Sequence, residues 1–261
     1  YSKGSFLMKF KENLLDNSKV LITEVCVIPS TVVTQAVATA GADAIVIDQE
    51  HGAIDTNDLH AMIASIAGTS CAPLVRLADR KPDYVKRALD MGAEGIMFPL
   101  IKTADDVREC VSMMRYPPAG RRGWGPFVAH SRWGASLMEY APEFDKKTAC
   151  IILIETAEAV DNINEICDVE GIDVAFIAKF DLSASLGILG DFGNDKFLNA
   201  VYQVEAAIKS KGIPLGGGPV RSKQEMDELC SRGYRLIANF DILRLKGSVS
   251  EHISWARQQK T

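Results

Sequence analysis

The sequence predicts a (β/α)8 barrel. Three observations carry the prediction: eight short β-branched runs recur along the chain, stretches of helical periodicity lie between them, and 261 residues is a length such a barrel takes. A doubly wound open sheet is the structural competitor, because it is built from the same βα units.

The strand-like runs, in order, are "VLITEVCVI" (20–28), "AIVID" (44–48), "PLVR" (73–76) and "GIMFP" (95–99). "CIILIE" (150–155), "VAFIA" (174–178), "IPLG" (213–216) and "LIAN" (236–239) complete them. Each is short, apolar and bounded by turn-forming residues, as a buried parallel strand should be. Between them lie amphipathic segments such as "TNDLHAMIASIAG", "KPDYVKRALDMG", "TADDVRECVSMM", "TAEAVDNINEIC" and "SKQEMDELCSRG". Several open on an N-cap Thr or Ser and close on Gly, the start and stop signals of a helix.

Composition narrows the class. Hydrophobic residues make up 47% and charged residues 24%, the proportions of a globular protein. A net charge of -5 argues against a nucleic-acid surface, and no apolar run approaches the ~18 residues that span a bilayer. The first residues, "YSKGSFLMKF", lack the apolar core of a secretory signal and an initiator Met, so a trimmed or processed start is expected. Cys26, Cys71, Cys110, Cys150, Cys167 and Cys230 are scattered without a C-x-x-C pair, which points to reduced thiols in a cytoplasmic protein. No linker divides the chain, so residues 1–261 read as a single domain.

In this fold the active site sits on the loops after the strands' C-terminal ends. Those positions hold Asp48, Glu50 and His51, then Arg76, Pro99, Glu155, Asp181, Gly216 to Gly218, and Asn239 to Asp241. Asp48 and His51 are spaced so that the acid can orient the imidazole and raise its basicity. Glu155 and Asp181 are the two carboxylates with which a hard divalent cation is held beside waters. Arg76 can neutralise a carboxylate or a developing enolate oxygen. The glycine run can offer backbone N–H groups to a phosphate.

Each feature also has a plain structural reading. Asp48 or His51 can cap a helix, Glu50 reads as half of an ion pair, and Arg76 can pair with Asp48 or Asp79. Glu155 suits a helix first turn and Asp181 an N-cap, while Gly216 to Gly218 fit a tight turn. His60 reads as helix surface and His252 as structural. His130 lies in "YPPAGRRGWGPFVAHSRWG", a segment too long for an ordinary βα connection and of the kind that serves function or an interface.

Several segments together resemble the HpcH/HpaI family of metal-dependent class II pyruvate aldolases over nearly the whole chain. They are "GADAIVIDQEHGAID", "LVRLADRKPDYVKRALDMGAEGIMFPLIKT", "MRYPPAGRRGWG", "SRW", "IILIETAEAVDNI" and "FDLSASLG". The resemblance implies His51 as base acting through a water, Asp48 as its partner, and Arg76 at the enolate oxygen. It implies Glu155 and Asp181 as ligands of a divalent cation, Mg²⁺ first, with Mn²⁺ or Co²⁺ as alternatives. Substrate contacts would come from Arg76, Phe180, Asp181, Lys179 and Arg122.

It further implies a barrel that exchanges its C-terminal helix between subunits in a homo-oligomer, usually a hexamer. The implied partners are a keto acid and an aldehyde or other acceptor, with no nucleic acid and no membrane. The implied chemistry is reversible aldol cleavage of 2-keto-4-hydroxy acids, or oxaloacetate decarboxylation, through a pyruvate enolate. Alternatives are enolate addition to a specialised acceptor, as in macrophomate synthase, a keto-acid-binding barrel without turnover, and a phosphosugar barrel using Gly216 to Gly218.

Three departures stand out. "AKFD" (178–181) replaces the usual G-P-x-D, Leu153 stands where Gln is common, and "ANFD" differs from a Gly-containing version. Positions 153 and 155 share a strand face, so a polar contact inside the barrel is lost. These changes leave the metal and base positions intact and bear on substrate identity.

Overall fold

The computed structural model describes residues 8–16 and 18–258. Residues 1–7, where a trimmed or processed start was expected, lie outside them.

Eight parallel strands close on themselves: β1 (Leu21–Cys26), β2 (Ala44–Asp48), β3 (Ala72–Arg76), β4 (Gly95–Phe98), β5 (Ala149–Ile154), β6 (Val174–Ala178), β7 (Leu215–Gly218) and β8 (Tyr234–Phe240). β8 pairs with β1, so the sheet has no edge, and the open-sheet competitor is set aside. Strand alternation divides the apolar residues into two shells. Val46, Leu74, Met97, Ile151, Leu153, Val174 and Phe176 fill the lumen, while Ile45, Ile47, Val75, Ile96, Ile152 and Ile177 face the helices.

Thr103, Thr156 and Ser222 cap helices as expected, whereas the helix Thr56–Ser65 is capped by Asp55, with Thr56 its first residue. Thr103 and Asp55 each complete a capping box, and Thr156 and Ser222 accept backbone N–H groups of their first turns. The stretch 156–167 is two short helices that meet at Asn162 rather than one. At the bottom, the helix Phe10–Leu15 puts Phe10 and Leu14 into the lumen cluster and stoppers the barrel.

Two expectations change. Gly216 to Gly218 form a strand rather than a turn, pairing with Phe176, Ile177 and Ala178. A Cβ on Gly216 would come within 2.5 Å of the Phe176 ring, and one on Gly217 within 2.5 Å of the Tyr234 ring. The glycines therefore make room for aromatic neighbours, and their N–H groups belong to the sheet rather than to a phosphate nest.

The long segment after residue 115 is also relocated. It follows the helix Ala104–Met114, which has already returned the chain to the strands' N-terminal ends, so it crosses the face opposite the predicted site. Arg132 fixes it there by donating to the Ile63 and Met91 carbonyls, at the lower ends of the helices Thr56–Ser65 and Pro82–Asp90. His130 sits within this segment, its Nδ1 2.9 Å from the Pro126 carbonyl oxygen.

Candidate active site

Period-two alternation decides which polar residues reach the barrel mouth. Val46 faces the lumen, so Asp48, two residues on, faces it one layer higher; Leu74 and Arg76 stand in the same relation, as do Leu153 and Glu155. Asp48 and Arg76 are register partners across β2 and β3, so their side chains lie side by side. The apolar lumen thus ends in a charged layer.

Asp48 is fully buried and Arg76 nearly so. The carboxylate takes a fork from Arg76, 2.8 Å from Nε and 2.6 Å from Nη2. Its Oδ1 also accepts the backbone N–H groups of Glu50 and His51, at 3.0 and 3.3 Å. Asp48 therefore shapes the loop that carries His51 and bonds its backbone rather than its imidazole. Burial opposes charge on Arg76, but the hydrogen bonds and attraction of Asp48, with Glu50 and Glu155 adding to them, hold the guanidinium above its ordinary pKa.

Glu50 turns inward. Its Oε2 lies 3.4 Å from Arg76 Nε and 3.8 Å from His51 Nε2, and it is buried with no hydrogen-bond partner among the described residues. Burial raises its pKa, with the negative charges of Asp48 and Asp181 adding to the effect. The expectation of an ion pair for Glu50 stands, yet the pair is made with Arg76 inside the site. His51 is open to solvent, its ring 62% exposed at the rim.

Glu155 is buried just beyond β5 and accepts the backbone N–H of Leu100. Leu100 adopts φ 56°, a left-handed conformation unusual for a branched residue, and so aims that N–H at the carboxylate. Burial pushes the Glu155 carboxyl up to about 7 despite this hydrogen bond, and the negative charges of Glu50 and Asp181 push the same way. Asp181, in the first turn of the helix Lys179–Ser185, stands exposed at the mouth.

Beside Arg76 and Asp181 lies a small cavity of about 40 Å³, lined at its rim by these two with Lys179 and Phe180. Phe180 is 43% exposed and meets Phe192 edge to face at 5.4 Å. Lys179 donates to the Pro219 carbonyl at 2.6 Å and is half-buried, which lowers its pKa. Arg122 is not brought to this mouth: its guanidinium is fully buried, donates to Asp90 at 2.6 Å and lies 4.5 Å over the Tyr116 ring. Asp90 ends a helix at the barrel's lower face, which is why Arg122 lies there too.

His60 is exposed on its helix, and His252 packs edge to face with Trp255 at 4.8 Å. Asp241, after β8, accepts the N–H groups of Val27 and Ile28 and ties the last strand to the first. Sequence reading missed the inward turn of Glu50, whose acid type at a strand exit was the available signal, and the left-handed Leu100, for which there was none.

No group of three or more His, Cys, Asp and Glu side chains is arranged to hold a metal among the described residues. Glu155 and Asp181 supply two oxygen donors beside a third acid, Glu50, and the cluster is short of positive charge. That set suits a hard divalent ion whose remaining positions go to water and substrate, and it does not suit a closed structural zinc site.

A model of the family "HpcH/HpaI aldolase/citrate lyase" matches residues 29–239. A hydroxypyruvate/pyruvate aldolase of Roseovarius nubinhibens is 33% identical over 183 residues, covering 70% of this chain and 71% of that protein. A 2-keto-3-deoxy-L-rhamnonate aldolase of Escherichia coli is 36% identical over 180 residues, 69% of this chain and 67% of its own. The crystal structure of macrophomate synthase superposes with a TM-score of 0.88 at 28% identity, covering 98% of this chain and 92% of that one.

Proposed function

The chain belongs to the HpcH/HpaI aldolase/citrate lyase family, which makes it an enzyme of the carbon–carbon lyase type, and from that premise we propose that it cleaves 2-keto-4-hydroxy acids reversibly to pyruvate and an aldehyde. The reaction passes through a pyruvate enolate, and oxaloacetate decarboxylation would draw on the same enolate. The names of the two aldolase relatives support a keto-acid substrate.

The observation that carries the reading is the charged layer at the barrel mouth. Two acids with raised pKa, Glu50 and Glu155, stand beside Asp181 with one guanidinium among them. Glu155 and Asp181 would hold a divalent cation, Mg²⁺ or else Mn²⁺ or Co²⁺, which when bound supplies Lewis acidity to a chelating 2-keto acid. His51, open at the rim, would take the C3 proton by way of a water. Arg76 faces the developing enolate oxygen with its guanidinium already locked by Asp48, so its charge needs little reorganisation. Phe180 and Lys179 would wall the substrate; Arg122 would steady the lower face instead.

Six free cysteines, five of them buried, support a cytoplasmic working place. No helix among the described residues is long and apolar enough to cross a membrane. We read residues 1–261 as one catalytic domain.

A coupled assay for pyruvate released from oxaloacetate and from 2-keto-4-hydroxy acids tests the reading. Activity should vanish on chelation, return with Mg²⁺ or Mn²⁺, and be absent in Glu155→Ala under both conditions. Full activity in metal-stripped protein would sink it. The likeness to macrophomate synthase favours a second use of the enolate, addition to a larger acceptor, which mass spectrometry of oxaloacetate incubations with candidate acceptors would reveal.

A further inference from the structure

A second cavity lies outside the barrel wall, over β7. Gly217 pairs in register with Ile177 and Ile237, both of the outer shell, so the strand turns a hydrogen rather than a side chain toward the helices here. The Tyr234 ring lies over that glycine and fills part of the space. The helix Lys223–Ser231 buries none of its residues fully, and a pocket of about 250 Å³ remains between it, β7 and the helix Asp195–Ser210.

Its walls are apolar and its charges are paired, with one exception. Phe192, Phe197, Leu198, Val201, Val220 and Leu229 supply the carbon. Arg221 pairs with Glu225 at 3.1 Å, and Arg232 with Glu205 at 2.7 Å and Glu228 at 3.3 Å. Lys179 is the exception. Its half-buried ammonium donates to the Pro219 carbonyl and lies 5.3 Å from the centre of the Phe192 ring, yet no acid among the described residues pairs with it. Glu225 and Glu228 act on it only at a distance, each already held by an arginine. An ammonium has three protons to give, and a cation drawn out of water is costly until it is paired.

We propose that this pocket is a second ligand site, taking a small monocarboxylate with an apolar body: the acid meets the remaining protons of Lys179, and the body lies between Phe197, Val201 and Leu229. The class follows from the lining. One unpaired cation calls for one negative charge, whereas the hydroxyls of a sugar would face carbon and lose their water partners. The volume sets the size: at ~30 Å³ for each water-sized group, about eight such groups fit, the scale of a benzoate. Glu155, Asp181 and His51 line none of it, so the site stands apart from the enolate chemistry. It touches the mouth cavity only through Lys179, Gly218 and Pro219, which line both.

The probe is para-fluorobenzoate, followed by fluorine NMR with the whole protein in saturating Mg²⁺. Its signal should shift and broaden saturably, with a dissociation constant on the order of 1 mM, as suits so few atoms. The uncharged para-fluorobenzamide should bind about tenfold more weakly. Lys179→Met should weaken the acid to the same degree and leave the amide as it was. Leu198→Trp, which sets an indole into the pocket, should remove both. Oxalate, a chelating acid without an apolar body, should leave the probe in place.

Displacement by oxalate would put the probe on the acids of the mouth and overturn the inference, as would the absence of saturation by about 10 mM. Equal affinity of the parent for acid and amide overturns it too. So does an acid affinity unmoved in folded Lys179→Met. Circular dichroism checks each variant, and should Leu198→Trp fail to fold, the acid and amide affinities of the parent and Lys179→Met decide alone.

Discussion

Four hydrogen bonds converge on the Asp48 carboxylate, two from Arg76 and two from the backbone of Glu50 and His51, and the Arg76 pair is buried away from water. Removing the carboxylate leaves the buried guanidinium with only the longer Glu50 contact at 3.4 Å, at a cost of up to roughly 3–5 kcal/mol. Asp48→Ala should therefore lower unfolding stability by about that amount in urea titrations and abolish turnover as well. Leu100 behaves differently, because its contribution to Glu155 is a backbone N–H and its own conformation is strained. Leu100→Gly should retain the hydrogen bond, relieve about 1 kcal/mol of left-handed strain, and keep most activity. A large loss of activity in a folded Leu100→Gly protein would show that the side chain matters more than the N–H. At this scale the sequence was readable where a charged residue interrupts an apolar run, as at Asp48, Arg76 and Glu155. It was silent where the decisive fact is a torsion, as at Leu100. It misled at Arg122, because the face on which that residue lies depends on the path of the preceding helix.

The elements were legible for the same reason that they are stable: short β-branched runs have one buried solution, and capping residues mark where each helix must begin. The segment 115–148 was not, since its length suggests a rim loop and only the helix before it reveals the opposite face. The helix Phe10–Leu15 was overlooked because six residues carry too little periodicity, and its anchor is tertiary. Phe10 N–H donates at 2.6 Å to the Glu94 carboxylate, which precedes β4 and is 3% exposed. Burial pushes Glu94 up to about 7 from an ordinary 4.5, the Phe10 and Lys9 N–H groups notwithstanding. A raised carboxyl pKa means that the fold binds the proton more tightly than the unfolded chain does. Between about pH 4.5 and 7 the native state then holds more protons, stability falls as pH rises, and above 7 the loss is complete. Integrated over the shift this is at most about 3 kcal/mol. Glu94→Gln keeps an acceptor for Phe10 and abolishes the charge, so it should match the parent near pH 4 and exceed it at pH 8. Glu155 titrates in the same window. The difference between variant and parent in denaturation midpoints, rather than either profile alone, is the measure, and equal midpoints at pH 8 would contradict the assignment.

At the scale of the molecule the unfinished feature is the last helix, Asp241–Gln258. Its first turn is fixed, since Asp241 caps the end of β1 and Arg244 pairs with the buried Glu24 at 2.7 Å. Beyond that turn every residue is exposed, and Ile242, Leu245, Val249 and Ile253 fall at helical spacing along one side. Leu243 and Trp255 add to the apolar surface. A stripe of this kind left in water forfeits about 25 cal/mol for each Å² it could bury, and contiguous patches of several hundred Å² mark sites of association. The resemblance predicted that this helix is exchanged between subunits, and its exposure supports that reading. Light scattering should give the parent a mass several times the 28.4 kDa of one chain. A variant ending after Lys246 keeps Asp241 and Arg244, so its barrel should retain its far-UV signal while the particle falls to a smaller species. Leu245→Ser with Val249→Ser should act in the same direction without shortening the chain. If the shortened protein kept the parent's mass, the subunit contact would have to lie elsewhere. The long segment on the lower face, with Trp124, Phe127 and Val128 exposed, would then be the surface to test next by the same measurement.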